Sequence, residues 1–146
     1  MMSLYTSLLG EAISVPGHTR THLVYHFPSA QVLFSGDCLF LEGCGRILEG
    51  TAAQMHASLK KITFLPEDTL IFPGHEYTEE NLRFAFFLEP KNASVSERLH
   101  KVEELRRKGL PTVPGALCEE KLTNPFLRGT RVGPQERAPY GKGVRP

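Results

Sequence analysis

The sequence predicts an α/β fold, a layered strand-and-helix unit followed by a helical C-terminal region. Three observations predict it. The N-terminal part breaks into short β-rich runs, each stopped by a turn containing Pro or Gly. From Thr51 onward the apolar residues recur at spacings of three and four, the period of a helix. Polar residues also stand directly after candidate strands, where open α/β sheets gather their ligands.

Taken in order, Ala12 to Val15 is the first candidate strand, stopped by Pro16-Gly17. His22 to Phe27 is the second and ends at Pro28-Ser29-Ala30; Val32 to Ser35 is the third and stops at Gly36-Asp37. The short Pro-Ser turn predicts that these two pair as a hairpin. Thr51 can cap a helix carrying Ala52, Met55, Leu59 and Ile62 on one face, closed by Pro66. Thr69 to Phe72 is a further buried strand, ending at Pro73-Gly74-His75. Thr78 can cap a second helix running to Leu88. Ser94, with Glu97 three residues on, has the spacing of a capping box and starts a third helix. Val95, Leu99, Val102 and Leu105 form its stripe, and Gly109 before Pro111 is its stop.

This divides the chain into a partial sheet with its helix at 1–77, a helical region at 78–128 and a tail at 129–146. The tail holds four basic residues, one acidic residue and little to bury, and is predicted to be disordered. Four short strands with one covering helix leave a face or an edge of the sheet bare. The pattern therefore predicts that a second chain, or a missing N-terminal half, covers it.

Composition narrows the function. Among 146 residues, 40% are hydrophobic and 23% charged, and the formal net charge is +1. That near-neutrality gives no support to nucleic acid or a charged membrane as the partner. No apolar run approaches the roughly 18 residues of a spanning helix. The segment MMSLYTSLLGEAISVPG lacks a basic n-region, and no arginine precedes Arg20, so neither a secretory signal nor a clear mitochondrial transit peptide is read. The expected location is cytoplasmic. Cys38, Cys44 and Cys118 are too few and too irregular for a disulfide framework and read as reduced thiols.

The residues that could carry chemistry are His18 in VPGHT, Asp37 in FSGD and His75 in FPGHE. Each follows a glycine after a candidate strand, which can aim all three at a shared point above the sheet. Two neutral imidazoles and a carboxylate suit zinc or iron(II). On pattern alone, a pair of loop histidines and a turn aspartate remain an equal reading.

Longer segments carry a resemblance. VPGHTRTH, LFSGDCLF, GCGRILEGT, FPGHEYTEENLRFA, EPKNA, PTVPGALCEE and NPFLR, within about residues 12 to 128, resemble the glyoxalase II (hydroxyacylglutathione hydrolase) family in order and spacing. GHT and SGD occur across the wider metallo-β-lactamase superfamily; GCGR-x-x-EGT, GHEYT-x-x-NL-x-FA and TVP are more specific. The resemblance implies the C-terminal half of an αββα sandwich followed by a helical region. It implies a hydrolase that cleaves the thioester of an S-(2-hydroxyacyl)glutathione, such as S-lactoylglutathione, with a metal-bound hydroxide. By the same resemblance His18 ligates one metal, His75 the other, and Asp37 bridges both. The metals are Zn2+, Fe2+ or a mixture. Arg46 and Tyr77 match residues that contact glutathione; a surface arginine and a half-buried core tyrosine are their plainer readings.

The sequence departs from that family in three places. No T-H-x-H-x-D-H motif occurs, so each metal keeps two protein ligands where catalytic zinc usually takes three. Leu48 stands where the family often has a tyrosine, and the tail does not read as the expected basic helix. An alternative is therefore a truncated, catalytically impaired homologue that binds or assembles without catalysis. A one-iron persulfide dioxygenase is the other superfamily reading, disfavoured by GCGR-x-x-EGT and GHEYT.

The remaining polar and aromatic residues take plain readings. His22 is a strand histidine or a partner that orients the site. His26, His56 and His100 are expected at the surface. Phe84, Phe86, Phe87 and Leu88 are expected in the core. Arg98, Lys101, Arg106, Arg107 and Lys108 are expected on a solvated helix face.

Overall fold

A computed structural model describes residues 9–128; the predicted disordered tail lies outside them. Five strands form one sheet in the order β1 (Glu11–Ser14), β2 (Leu23–Phe27), β3 (Val32–Gly36), β6 (Leu70–Pro73), β7 (Gly115–Ala116). A separate two-stranded hairpin joins β4 (Leu39–Phe40) to β5 (Gly43–Cys44). The helices are α1 (Ala52–Thr63), α2 (Thr78–Leu88), α3 (Ala93–Arg107), α4 (Leu117–Thr123) and α5 (Pro125–Arg128).

The expected hairpin forms: β2 and β3 pair antiparallel, with Tyr25 opposite Phe34 and His26 opposite Leu33. Its connection is one 3-10 turn over Pro28–Ala30, closed by Gln31 in a left-handed conformation. β3 and β6 run parallel, the pairing that a helical crossover allows, and α1 lies in that crossover.

α1 starts at the expected cap. The Thr51 side chain accepts from the Gln54 N–H, while the Gln54 side chain accepts from the Thr51 N–H. Met55, Leu59 and Ile62 then pack with Val24, Leu33 and Ile71 of the sheet and with Leu117 and Leu127 of the C-terminal helices. A second, smaller core joins Leu82 and Ala85 of α2 to Val95, Leu99 and Val102 of α3.

Along β2 and β3, burial alternates with the strand period. Val24, His26, Leu33 and Ser35 are buried, whereas Leu23, Tyr25 and Phe34 are exposed, with Leu70 of β6 beside them. The bare face expected from the sequence is thus an apolar one, on which Phe34 packs edge-on against Phe27 and tilts onto Phe72. No helix among the described residues is long and apolar enough to cross a membrane.

Several expectations need correction. Thr78 does not cap α2: Tyr77 occupies the cap position without a side-chain bond, and the Thr78 hydroxyl bonds Glu76. Asn92, not Ser94, caps α3, because its carboxamide oxygen reaches the N–H groups of both Ser94 and Val95. Phe84, Phe86, Phe87 and Leu88 are exposed, since α2 turns only Thr78, Leu82 and Ala85 fully inward. His26 is buried rather than at the surface, being on the helix-covered face of β2. Arg98 leaves the solvated face and enters a buried ion cluster. Tyr77 is half-buried as expected, at 45% exposed, but belongs to neither core. β4, β5 and β7 lie outside the strands that the sequence predicts, while α4 and α5 fall within the helical region expected at 78–128, where the sequence pattern does not place them individually.

Candidate metal centre

His18, Asp37 and His75 reach one place from three directions. Asp37 follows β3, in a turn held by Ser35: its carbonyl accepts from the Cys38 N–H at 3.1 Å, and its hydroxyl donates to the Leu39 carbonyl at 2.7 Å. His75 follows β6, whose next residue, Gly74, donates to the Gly36 carbonyl at 3.0 Å. A Cβ on Gly74 would lie 2.5 Å from Asp37 Oδ1, so only glycine lets this turn approach the carboxylate. His18 sits in the loop after Val15, facing the GCGR segment.

The resulting geometry is specific. His18 Nε2 lies 3.6 Å and His75 Nε2 3.5 Å from the same oxygen, Asp37 Oδ2. His18 Nδ1 is 2.8 Å from the Arg46 carbonyl. A carbonyl only accepts, so Nδ1 carries the proton and donates. In the neutral ring, Nε2 then presents a lone pair toward the carboxylate oxygen. Two acceptors that face each other without a proton call for a cation. Ligands about 2.1 Å from a tetrahedral ion sit roughly 3.4 Å apart, close to both separations. The donor set fits a divalent metal of the zinc or iron(II) kind. Among the described residues, however, no group of three or more His, Cys, Asp or Glu side chains forms a ready-made metal site. The arrangement is two histidine–carboxylate pairs that share Asp37.

Gly45 presses the GCGR segment onto this centre. Its N–H donates to the Cys38 carbonyl at 3.3 Å, and a Cβ there would lie 1.8 Å from the Asp37 carbonyl oxygen and 3.2 Å from His18 Nδ1. Arg46 is exposed next to it, with its backbone holding His18 and its guanidinium turned to no carboxylate among the described residues. The Tyr77 ring stacks on His75 at 5.2 Å, and Phe40 packs edge-on against both. His22 meets His18 edge to face at 5.8 Å, and its buried Nε2 has no hydrogen-bond partner. Burial pushes the neighbouring thiols up, Cys38 to about 12 and Cys44 to about 11, which disfavours their thiolates.

Glu76 is a site-adjacent residue that sequence reasoning missed. It accepts from the Thr112 N–H at 3.0 Å, from the Thr112 hydroxyl and from the Thr78 hydroxyl at 3.0 Å. It thereby ties the GHEYT segment to the TVP segment. The adjacency of two motif glutamate and threonine positions was the only available signal, and spacing along the chain does not show it.

A family profile described as "Metallo-beta-lactamase superfamily" matches residues 6–75, and one described as "Hydroxyacylglutathione hydrolase C-terminus" matches 76–139. The hydroxyacylglutathione hydrolase of Dechloromonas aromatica (strain RCB) is 56% identical over 124 residues, covering 83% of this chain and 46% of its own length. Two solved structures share the fold. ETHE1 from Myxococcus xanthus is 26% identical, with a TM-score of 0.56 over 84% of this chain and 41% of that one. TTHA1623, solved in a di-iron-bound form, is 25% identical, with a TM-score of 0.54 over 86% and 45%. The chain thus spans about half the length of the curated relatives it matches.

Proposed function

We propose, for a chain that belongs with the C-terminal half of the hydroxyacylglutathione hydrolases in the metallo-β-lactamase superfamily, that it carries the shared-aspartate side of a two-metal thioester hydrolase site. The observation that carries this reading is the convergence of His18 Nε2 and His75 Nε2 on Asp37 Oδ2. His18 and Asp37 would hold one divalent ion, Asp37 and His75 the other, as zinc or iron(II). Bound there, the ions would supply Lewis acidity and a water acidified toward neutral pH.

The chain's own residues do the rest. Arg46 fixes His18 through its carbonyl, which accepts from the Nδ1–H, and keeps its guanidinium exposed for a carboxylate of glutathione. Tyr77, stacked on His75, offers a hydroxyl at the same rim. The substrate is an S-(2-hydroxyacyl)glutathione, and the products are a 2-hydroxy acid and glutathione. The reading also assigns the apolar face of Leu23, Tyr25, Phe34 and Leu70 to a covering polypeptide layer, and a cytoplasmic location. The test is hydrolysis of S-lactoylglutathione by the purified chain with added zinc. Turnover well above a His75→Ala control supports the reading; equal rates overturn it.

A second reading has its own observation. No HxHxDH motif occurs in the 146 residues, and the described ligands come in pairs rather than threes. On this reading the chain binds or assembles without catalysis. Two tightly held ions per chain in metal analysis would exclude it.

A further inference from the structure

Away from the candidate metal centre, the turn of the β4–β5 hairpin enters a second polar cluster. Glu42 and Glu120 have no exposed surface, and the Arg98 side chain is 12% exposed. The Glu42 N–H donates to Glu120 Oε2 at 2.7 Å, and Arg98 Nη2 donates to Glu120 Oε1 at 2.7 Å. Arg98 Nη1 pairs with Glu42 Oε1, which also accepts from the Thr123 hydroxyl at 2.5 Å. Asn124 donates to Glu120 Oε2 at 2.9 Å and to the Gly43 carbonyl at 3.1 Å, and Asn81 donates to the Leu41 carbonyl at 3.0 Å. α2, α3, α4 and the residue after α4 all grip one tight turn. Glu42 holds a left-handed conformation there, φ 63°, unusual for a residue with a side chain.

Charge does not balance if every group is ionised. Two carboxylates face one guanidinium, and Glu119, the other acid within reach, is 57% exposed at 3.8 Å from Arg98. Thr123, Asn124 and Asn81 bring no charge. Glu42 Oε2 is buried without a hydrogen-bond partner. An uncompensated buried carboxylate is costly, and taking up a proton is the cheaper state.

We propose that Glu42 and Glu120 share one proton at neutral pH and, with Arg98, form a positioning clamp for the Asp37–Arg46 segment. Both ends of that segment touch the candidate centre. Asp37 opens it, Gly45 is bonded back to Cys38, and Arg46 holds the His18 ring. Glu42 is therefore a positioning residue, acting through the hairpin. The clamp rests on these contacts and not on what His18 and Asp37 bind, so it stands or falls apart from the thioesterase reading. A cleft of about 170 Å³, lined by Arg98, Thr123, Glu97 and Lys101 among others, lies on the Arg98 and Thr123 side of the cluster.

The direction of titration agrees. Burial, and then the charge of Glu120, push the Glu42 carboxyl up to about 8 against the opposing pull of Arg98 and Thr123. Burial likewise raises Glu120. A carboxyl raised in the folded state contributes stability that is full below the unfolded value, about 4.3, and lost as pH rises through the folded one.

Urea titrations of the whole chain from pH 5 to 9, wild type against Glu42→Gln, test this. The folded-to-unfolded ratio of wild type relative to the variant is expected to fall by up to about tenfold per pH unit between about pH 5 and 8, then level. NMR of the backbone amides at Cys38 and Gly45 reads position separately: their shifts are expected to hold to pH 9 in Glu42→Gln and to move above about pH 7 in wild type. Parallel pH curves in both readouts overturn the proposal. Should Glu42→Gln not fold, carboxyl carbon NMR of wild type decides: a glutamate titrating above pH 7 supports the shared proton, and midpoints all below 6 overturn it.

Discussion

Where the turns after β3 and β6 meet, His18, Asp37 and His75 stand partly open, with two imidazoles facing one carboxylate oxygen. Where the β4–β5 turn meets the helices, Glu42, Arg98 and Glu120 are buried and bonded to one another and to the backbone. The two clusters hold the same kinds of group in opposite settings. In the open one, His18 Nδ1 bonds the Arg46 carbonyl, but among the described residues Nε2 of each ring faces only the Asp37 carboxylate, an arrangement that the proposed function directs toward a bound cation. In the closed one, side chains complete almost every polar atom, so the arrangement serves the position of the chain itself. The hairpin between them, from Asp37 to Arg46, connects the two.

The largest effect that separates the clusters is on stability. Arg98→Met leaves the buried Glu42–Glu120 pair, with its one remaining negative charge, without a counter-charge and is expected to cost about 3–5 kcal/mol in urea denaturation at pH 7. His75→Ala, at a side chain 51% exposed, is expected to change stability by no more than about 0.5 kcal/mol. Equal costs would break the contrast. The same contrast divides β3 lengthwise. Leu33→Ala, on the packed face, is expected to cost about 2–5 kcal/mol, and Phe34→Ala, on the bare face, less than about 1 kcal/mol.

A smaller effect has the opposite sign to that of Glu42. Burial pushes Glu76 up, but the hydrogen bonds from Thr112 and Thr78, aided by Arg106, hold its carboxyl below the usual range overall. A depressed carboxyl contributes stability that is present above the unfolded value and lost as pH falls through the folded one. The Tm gap between wild type and Glu76→Gln is therefore expected to shrink from about pH 6 to pH 3. A gap that stays constant would show that Glu76 gains nothing from its charge.

Legibility in the sequence followed the same division. The strand-Gly-His and strand-Gly-Asp patterns are local, so His18, Asp37 and His75 could be singled out, and the fold brings them within 3.6 Å of one another in two pairs. α1 was legible because its capping box and stripe are local as well. Glu42 and Arg98 were not. A glutamate in a turn and an arginine among Lys101, Arg106 and Arg107 look solvated until Glu120, 78 residues after Glu42, is folded against them. β4 and β5 have two residues each, too few to show a period. Asn92 outcompeted the capping-box spacing of Ser94 and Glu97 because one carboxamide satisfies two free N–H groups. The α2 phenylalanines misled for another reason: hydrophobic residues all around a short helix outnumber the positions that one small core can take in.

Zinc titration by calorimetry, comparing wild type with Asp37→Ala, His18→Ala and His75→Ala, tests the shared-aspartate centre most directly. Asp37→Ala is expected to abolish binding, because both ligand pairs use its carboxylate, while each histidine variant keeps part of it. Undiminished zinc binding by Asp37→Ala would contradict the account.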